Sequence, residues 1–163
     1  MSEQNSGQTV QAPKALGLKL GAGGRFAALD PSAIAKAEAA LKSLSGNFAQ
    51  WLQDEISKLE GARQAIRTEG VTEQSLEALY LRAHDLKGLG TTYGFPLITR
   101  IAASLCLFTD EAHKRARASL DLVDAHIDAI RAAVREDIKT DDDPVGRALA
   151  EELEARVNEA LAA

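Results

Sequence analysis

The feature that most constrains the fold is a run of apolar residues near the start of the chain, whose spacing is near 3.5 positions at first and drifts later. Such spacing places side chains on one face of an α-helix, whereas a strand requires alternation. The run predicts either one helix of more than thirty residues, from Asp30-Pro31 to Gly70, or two helices broken near Ser45-Gly46-Asn47. We favour one helix because the stripe stays in phase through Gly46; its second half is expected to pack in a bundle. Its first half is expected to project, to bend over one end or to pair with another chain. The apolar positions are Ile34, Ala37, Leu41, Leu44, Phe48, Trp51, Leu52, Ile56, Leu59 and Ile66.

Three further stripes with helical spacing follow along the chain. Thr72 is the expected N-cap of the first, and Gly94 is its expected left-handed C-cap. Pro96 is suited to the first turn of the second, and Asp110-Glu111 to capping the third. The core-facing positions are expected to be Leu76, Leu79, Ala83, Leu86 and Gly90 in the first stripe, Leu97, Ile98, Ile101, Leu105 and Phe108 in the second, and Leu120, Val123, Ile127, Ile130 and Val134 in the third.

These stripes and the composition predict an all-α fold, specifically an antiparallel four-helix bundle with an extended first helix and an additional C-terminal helix. Aromatic residues make up only 4% of the chain, and much of the apolar content is alanine and leucine, which favours helices over sheets. We expect a mobile N-terminal tail at residues 1–30, the bundle at 31–138, and an acidic linker with an amphipathic helix at 139–163.

The C-terminal helix is expected after the break at Thr140-Asp141-Asp142-Asp143-Pro144. Two interpretations of it stay open: its apolar face packs on the bundle, or the helix is an acidic arm that docks elsewhere. That face consists of Val145, Leu149, Leu153, Val157 and Leu161.

Charge and residue usage exclude several functions. The formal net charge is −5, and residues 141–163 alone carry −5, so the rest of the chain is balanced and has no basic stripe for nucleic acid. No apolar run approaches the ~20 residues of a membrane span, and the N-terminus does not resemble a signal peptide, so we expect a cytoplasmic protein. Cys106 is expected to be a small buried hydrophobe. His113 and His126 are placed beside the third stripe and not in it, without the spacing of metal ligands.

His84 is the candidate reactive residue. On a helix it lies roughly 125° from the centre of the first core stripe, and should therefore face solvent. Lys87 and Gly88 follow it by three and four residues, on the adjoining surface. Tyr80 and Leu81 lie one turn before His84, and Thr91 lies two turns after it.

This combination suits a phosphoryl acceptor. Neutral imidazole is a nucleophile near physiological pH. A phosphoryl group on its ring nitrogen would be dianionic, and Lys87 could offset that charge. Gly88 lowers helix propensity by roughly 1 kcal/mol relative to alanine, but it removes a side chain that would crowd the phosphoryl group or a partner.

The set His84, Lys87, Gly88 and Gly94 resembles the signature of the histidine-containing phosphotransfer (HPt) family. The resemblance extends over roughly residues 31–138, and includes the apolar pattern Phe95, Leu97, Ile101, Leu105 and Cys106. It implies a phosphocarrier of a two-component phosphorelay, with a phosphohistidine at His84. From the length and content of the chain, we expect no autokinase activity.

The resemblance also implies the partners, which are response-regulator receiver domains, a hybrid histidine kinase, or both. The receiver would supply the acidic pocket and Mg²⁺, so the chain needs no cofactor or metal of its own. We expect Tyr80, Leu81 and Thr91 to form the docking face, with Lys87 stabilising phosphoryl charge and Gly88 providing clearance.

Two alternatives remain. The segment His84-Asp85-Leu86 looks somewhat like the core of a histidine-kinase dimerisation and phosphoacceptor domain, although no ATP-binding domain is expected from the length and content of the chain. A second alternative is a non-catalytic helical adaptor or dimerisation module, in which His84 is an incidental surface histidine.

Overall fold

The computed structural model describes residues 30–163, and that part of the chain is helical with no strand. The all-α helical bundle expected from the sequence is confirmed, while the antiparallel order of its helices stays a prediction. The expected N-terminal tail lies outside the described residues except for Asp30. The helices are α1 (Pro31–Glu69), α2 (Glu73–Leu89), α3 (Pro96–Leu107), α4 (Ala112–Arg115), α5 (Leu120–Arg135) and α6 (Pro144–Ala162).

Helix α1 is continuous over 39 residues, which confirms the single helix and rejects a break near Gly46. Pro31 occupies its first position, and Gly70 follows its end with a φ of 99°, a conformation that glycine adopts without strain. The described residues up to 42 and those from 43 to 163 belong to separate units. In the second unit, α1 buries one face, made of Leu52, Ile56, Leu59, Arg63 and Ile66.

Residues 43–163 share one apolar core, to which five of the six helices contribute. Helix α3 is the most apolar of them and packs against α2, α5 and α6. The expected inward residues of α2 and α3 are all buried, and so is Cys106. The fully buried large side chains include Leu52, Leu59, Leu79, Leu86, Leu97, Ile98, Ile101, Leu105, Ile127 and Ile130.

Ion pairs of two arginines connect neighbouring helices around this core. Arg63 of α1 is buried and donates to Asp128 of α5 at 2.7 Å. Arg100 of α3 donates to both carboxylate oxygens of Glu154 on α6, at 2.7 and 2.8 Å. Two parallel hydrogen bonds of this kind fix orientation as well as distance, so they set how α6 lies on α3.

The third stripe differs from the prediction at its start. A separate short helix, α4, precedes α5, and Glu111 caps it without a side-chain hydrogen bond. Helix α5 begins only at Leu120, which is exposed because it lies in the first turn beyond the edge of the core. Val123, Ile127 and Ile130 are buried as expected.

His126 was expected beside the stripe of α5, and that expectation is wrong. Position 126 lies three residues after Val123 and four before Ile130, so it belongs to the buried face. Its ring is fully buried: Nδ1 lies 2.7 Å from the Leu122 carbonyl oxygen and Nε2 lies 3.0 Å from Ser104 Oγ. Because a carbonyl only accepts, Nδ1 donates to it, and neutral Nε2 accepts from the serine hydroxyl.

The buried His126 makes stability depend on pH. Burial lowers the pKa of His126 below its ordinary value of 6.5, and the hydrogen bond to Leu122 opposes that shift only in part. Below pH 6.5 the unfolded chain therefore binds more protons than the folded chain, so the free energy of unfolding should decrease as the pH falls. Urea unfolding between about pH 7.5 and pH 5.5 measures this slope.

The control for that measurement is His126→Gln, which should unfold more easily but with a flatter pH dependence over the same range. A wild-type chain whose stability is constant across this range would contradict the assignment.

Helix α6 packs on the bundle, which decides between the two interpretations left open by the sequence. Its buried face is Gly146, Ala150, Leu153 and Val157, whereas Val145 and Leu161 of the expected face are exposed. Asp143 caps the helix by accepting from the backbone N–H groups of Val145 and Gly146. A Cβ at position 146 would lie 2.8 Å from the Thr140 carbonyl oxygen, so only glycine fits there. This close approach turns the side of α6 that carries Gly146 toward the core. Leu149 is half-buried.

Candidate functional site

Helix α2 carries the candidate site and is fixed at its start by a reciprocal cap. Ser75 N donates to Thr72 Oγ1 at 3.0 Å, and Thr72 N donates to Ser75 Oγ at 2.9 Å. This confirms Thr72 as the N-cap. The buried stripe Leu76, Leu79, Ala83 and Leu86 holds the opposite side of the helix against the core. Together the cap and the stripe set the rotation of α2.

That rotation leaves His84 exposed to solvent, as the spacing predicted. The imidazole lies beside Tyr80, with ring centroids 5.9 Å apart and a tilt of 50°. Tyr80 is half-buried and packs against the core, so it offers His84 a fixed wall. Leu81 is 48% exposed, which places an apolar side chain on the surface one turn before the histidine.

Lys87 and Gly88 lie on the surface that follows His84, and both are exposed. In an α-helix each Cα–Cβ bond tilts toward the N-terminus, so the Lys87 side chain leans back over the turn that carries His84. Among residues 30–163, no carboxylate lies within 4.0 Å of the Lys87 ammonium. Its charge is therefore not committed to an acid in the described part of the chain.

The chain's own packing does not require glycine at position 88. A Cβ built there would meet nothing within 4 Å, and the helix is continuous through this residue. Side chains four residues apart are neighbours on a helix, so any side chain at 88 would lie beside the imidazole. The glycine keeps that space open.

Gly90 differs from Gly88, and sequence reasoning gave it no special role. A Cβ at position 90 would lie 2.8 Å from Thr99 N and 3.1 Å from the Phe95 carbonyl oxygen. The signal was available, because a glycine within a core-facing stripe indicates that another backbone segment approaches closely.

The end of α2 also differs from the prediction. The helix ends at Leu89, with Gly90 as a right-handed C-cap, and a turn then leads to Pro96. Gly94 is left-handed as expected, with a φ of 86°, but it belongs to that turn. Thr91 is exposed, while its hydroxyl donates to Thr99 Oγ1 at 3.0 Å and its N–H donates to the same oxygen at 2.8 Å. Thr91 is therefore held to α3.

Asp85, the acid next to His84, forms an ion pair that the spacing of the apolar residues did not indicate. Asp85 Oδ2 lies 3.4 Å from Arg82 Nη1, a pair with i, i+3 spacing on the helix surface. A negative charge beside His84 would repel an incoming anion, and Arg82 offsets part of it. The pair is only half-buried, so salt screens it in part.

Neither a metal site nor a reactive thiol accompanies His84 in the described part of the chain. Residues 30–163 contain no group of three or more His, Cys, Asp and Glu side chains arranged to hold a metal ion. Burial raises the pKa of Cys106 to about 11. The positive charge of Lys87 acts in the opposite direction, but its effect is smaller than that of burial. A thiol with this pKa is protonated at neutral pH and is a poor nucleophile.

The site therefore provides an exposed imidazole, an ammonium on the adjoining surface, an open backbone position and adjacent apolar surface. An imidazole of this kind can attack an electrophile that a partner brings. No helix within residues 30–163 has the length and apolar content to span a bilayer.

Comparison with protein families finds a match to a family model described as Hpt domain, over residues 43–133. This range covers more than half of the chain and contains His84, Lys87, Gly88 and Gly94. Comparison with curated proteins and with solved structures gave no match.

Proposed function

The chain belongs to the Hpt domain family, and we propose that His84 is the residue through which it carries phosphoryl groups. Hpt domains take part in histidine phosphotransfer in phosphorelays and act as phosphocarriers without catalytic activity of their own. In our proposal, His84 accepts a phosphoryl group from an aspartyl phosphate on one receiver domain and passes it to an aspartate on another.

The observation that carries this proposal is the open position at Gly88. Glycine in a helix costs roughly 1 kcal/mol relative to alanine, and no neighbour within the described residues would obstruct a Cβ there. Packing therefore gives no reason for a glycine at this position. A need for space beside His84 does give a reason, because a phosphoryl group and the receiver that delivers it must both fit there.

The charges around His84 also suit this role. In the first transfer the P–O bond to the receiver's aspartate breaks and a P–N bond forms to the unprotonated ring nitrogen of His84; in the second, the reverse exchange occurs on another receiver. Phosphoryl transfer depends mostly on positioning and on neutralising charge. Lys87 lies near the C-terminal end of α2, where the helix dipole disfavours negative charge, so its ammonium compensates for both the dipole and the phosphoryl group.

We propose that the receiver supplies the Mg²⁺ and the acidic pocket, since the phosphoryl group is transferred to and from its aspartate. The chain would then contribute the imidazole, the ammonium and a docking face that includes Leu81 and Tyr80. Leu81 offers exposed apolar area, and Tyr80 is fixed by its packing against the core. Thr91, which is held by Thr99, would mark the far edge of the face.

Separate substitutions distinguish docking from charge compensation. Leu81→Ala should weaken binding of an unphosphorylated receiver by about 1–2 kcal/mol, because it removes apolar contact area, and should cost little stability because the side chain is exposed. Lys87→Ala should leave that binding nearly unchanged but slow transfer roughly 2–10-fold, equivalent to ~0.4–1.4 kcal/mol of barrier. Receiver titrations and transfer rates on both variants measure the two effects.

Arg82→Ala is the matched control for Lys87→Ala, since it also removes a solvent-accessible positive charge from α2. It should slow transfer less, because Arg82 is paired with Asp85. Equal transfer rates for wild type and Lys87→Ala would contradict the proposed role of the lysine, and unchanged receiver binding by Leu81→Ala would contradict the docking face.

Filling the open position should obstruct transfer without unfolding the chain. Gly88→Gln places a side chain beside His84 and should slow transfer, while helix propensity improves relative to glycine. Single-turnover transfer from a phosphorylated receiver measures the rate, and a thermal melt checks the fold. If Gly88→Gln transferred phosphoryl groups at the wild-type rate, the glycine would not be needed to keep space open beside His84.

A further inference from the structure

Tyr80 lies one turn before His84 and is fixed by the core of the bundle. Its side chain is half-buried and packs against the apolar core. Positions 80 and 84 are four residues apart, so the two side chains are neighbours on the same surface of α2. The exposed imidazole of His84 therefore lies next to a ring that the chain's own packing holds in place.

The two rings have the geometry of an attractive aromatic pair. Their centroids are 5.9 Å apart, and their planes are tilted by 50°. Aromatic rings prefer offset or tilted arrangements with centroids about 4.5–7 Å apart. A side chain on a helix also leans toward the N-terminus, so the histidine extends over the turn that carries residue 80. The direction of the side chain and the ring contact favour the same orientation of the imidazole.

The other side of the imidazole is open. Gly88 lies four residues after His84, and a Cβ built there would meet nothing within 4 Å. The imidazole is thus bounded by the Tyr80 ring toward the start of α2 and by no side chain at position 88 toward its end. A phosphoryl donor can approach from the side of Gly88 while Tyr80 prevents the imidazole from turning away.

The second exposed histidine lacks such a ring. His113 lies in the short helix α4, and its Nδ1 is 3.5 Å from Glu111 Oε2. None of the aromatic pairs among residues 30–163 includes His113. An aromatic neighbour is therefore a property of His84 among the exposed histidines, and it accompanies the residue that carries the proposed chemistry.

A fixed imidazole has a kinetic advantage over a mobile one. The χ1 torsion of an unrestrained side chain has three staggered minima, and χ2 of a histidine is broad. A nucleophile that is already oriented loses less freedom on the way to the transition state. Misplacement of a reacting group by about 1 Å can slow a reaction by about 100-fold.

We propose that Tyr80 is a positioning residue, whose ring holds the imidazole of His84 in the orientation from which it attacks phosphorus. The contact joins two rings, so the aromatic ring of Tyr80 has this role and its hydroxyl does not. The role differs from docking, because it acts on the chain's own nucleophile before any receiver binds. It rests on the proposed function, because the orientation of the imidazole matters for transfer only if His84 is the phosphoryl acceptor.

NMR of the unphosphorylated chain tests the ring contact without any transfer. The ring current of Tyr80 should displace the His84 ring-proton resonances from their random-coil positions, and the χ1 couplings of His84 should report a single rotamer. Tyr80→Ala should give random-coil positions and averaged couplings, whereas Tyr80→Phe should keep the wild-type values. Random-coil positions and averaged couplings for His84 in the wild-type chain would overturn the proposal.

A small phosphoryl donor then separates positioning from docking. With phosphoramidate, a P–N bond forms to the ring nitrogen of His84 while the P–N bond of the donor breaks, and ammonia leaves with the electron pair of that bond. Tyr80→Ala should take up phosphate about tenfold more slowly than wild type, and Tyr80→Phe at nearly the wild-type rate. Tyr93→Ala is the matched control, because Tyr93 is also half-buried and packs against the core but pairs with Phe48 and Trp51; it should react like wild type.

Equal rates for Tyr80→Ala and wild type with phosphoramidate would overturn the proposal, because Tyr80 would then act only in docking. Equally slow uptake by Tyr80→Phe and Tyr80→Ala would also overturn it, since the hydroxyl and not the ring would be required. If neither receivers nor phosphoramidate placed phosphate on His84 of the wild-type chain, the proposed function would fail and the positioning role with it. The NMR measurement distinguishes that result from a missing contact between the two rings.

Discussion

His84→Gln is expected to abolish uptake of phosphate from any phosphorylated receiver while leaving the fold intact. The side chain is exposed, and substitutions at exposed positions usually change the free energy of unfolding by less than about 0.5 kcal/mol. Glutamine retains polar character and similar length but has no nucleophilic ring nitrogen. Labelled phosphate retained on the protein measures the loss, and a thermal melt confirms that the variant is folded.

His113→Gln is the matched control, because His113 is also exposed and lies outside α2. It should take up phosphate like wild type. His126→Gln is less suitable, since His126 is buried and its replacement perturbs the core. If His84→Gln still took up phosphate and His113→Gln did not, the phosphoryl acceptor would be His113 and not His84.

Two glycines near the end of α2 are expected to respond to alanine with opposite signs. Gly90→Ala should destabilise the chain by about 1–3 kcal/mol, because the new Cβ meets the backbone of Thr99 and Phe95, which has little freedom to move. Gly88→Ala should stabilise it by up to ~1 kcal/mol, because the Cβ enters open space and alanine is the better helix former.

Urea unfolding of both variants measures the difference, and each serves as the other's control, since both are single glycine-to-alanine changes within three residues. Equal stability of the two would contradict the packing at Gly90. A destabilised Gly88→Ala would show that packing does require the glycine at 88, and the argument for an open position beside His84 would fail.

The sequence predicted the parts of the fold in which spacing alone decides burial. The stripe of α2 fixed which side of the helix meets the core, and the exposure of His84, Leu81 and Lys87 followed from it. The length of α1 was predicted because neither Gly46 nor its neighbours interrupt the phase of the apolar residues. Thr72 was predicted as a cap because its side chain can accept from a backbone N–H of the first turn.

Other positions depend on contacts between segments that are far apart in sequence. His126 could be buried only because Ser104, on a different helix, is placed to donate to its ring. Helix α6 turns Gly146 toward the core because the Thr140 backbone leaves no room for a Cβ at that position. Gly90 is fixed by Thr99 in the same way. In each case the deciding partner belongs to another element, which periodicity within one helix does not identify.

The measurement that tests the central claim most directly is incubation of the wild-type chain with a panel of phosphorylated receiver domains, followed by mapping of the phosphate. The prediction is phosphate that is labile in acid and stable in base, located by mass spectrometry on His84, and passed on to a second, unphosphorylated receiver. Absence of phosphate on the chain with every receiver of the panel, or its location on any residue other than His84, would contradict the proposed phosphocarrier.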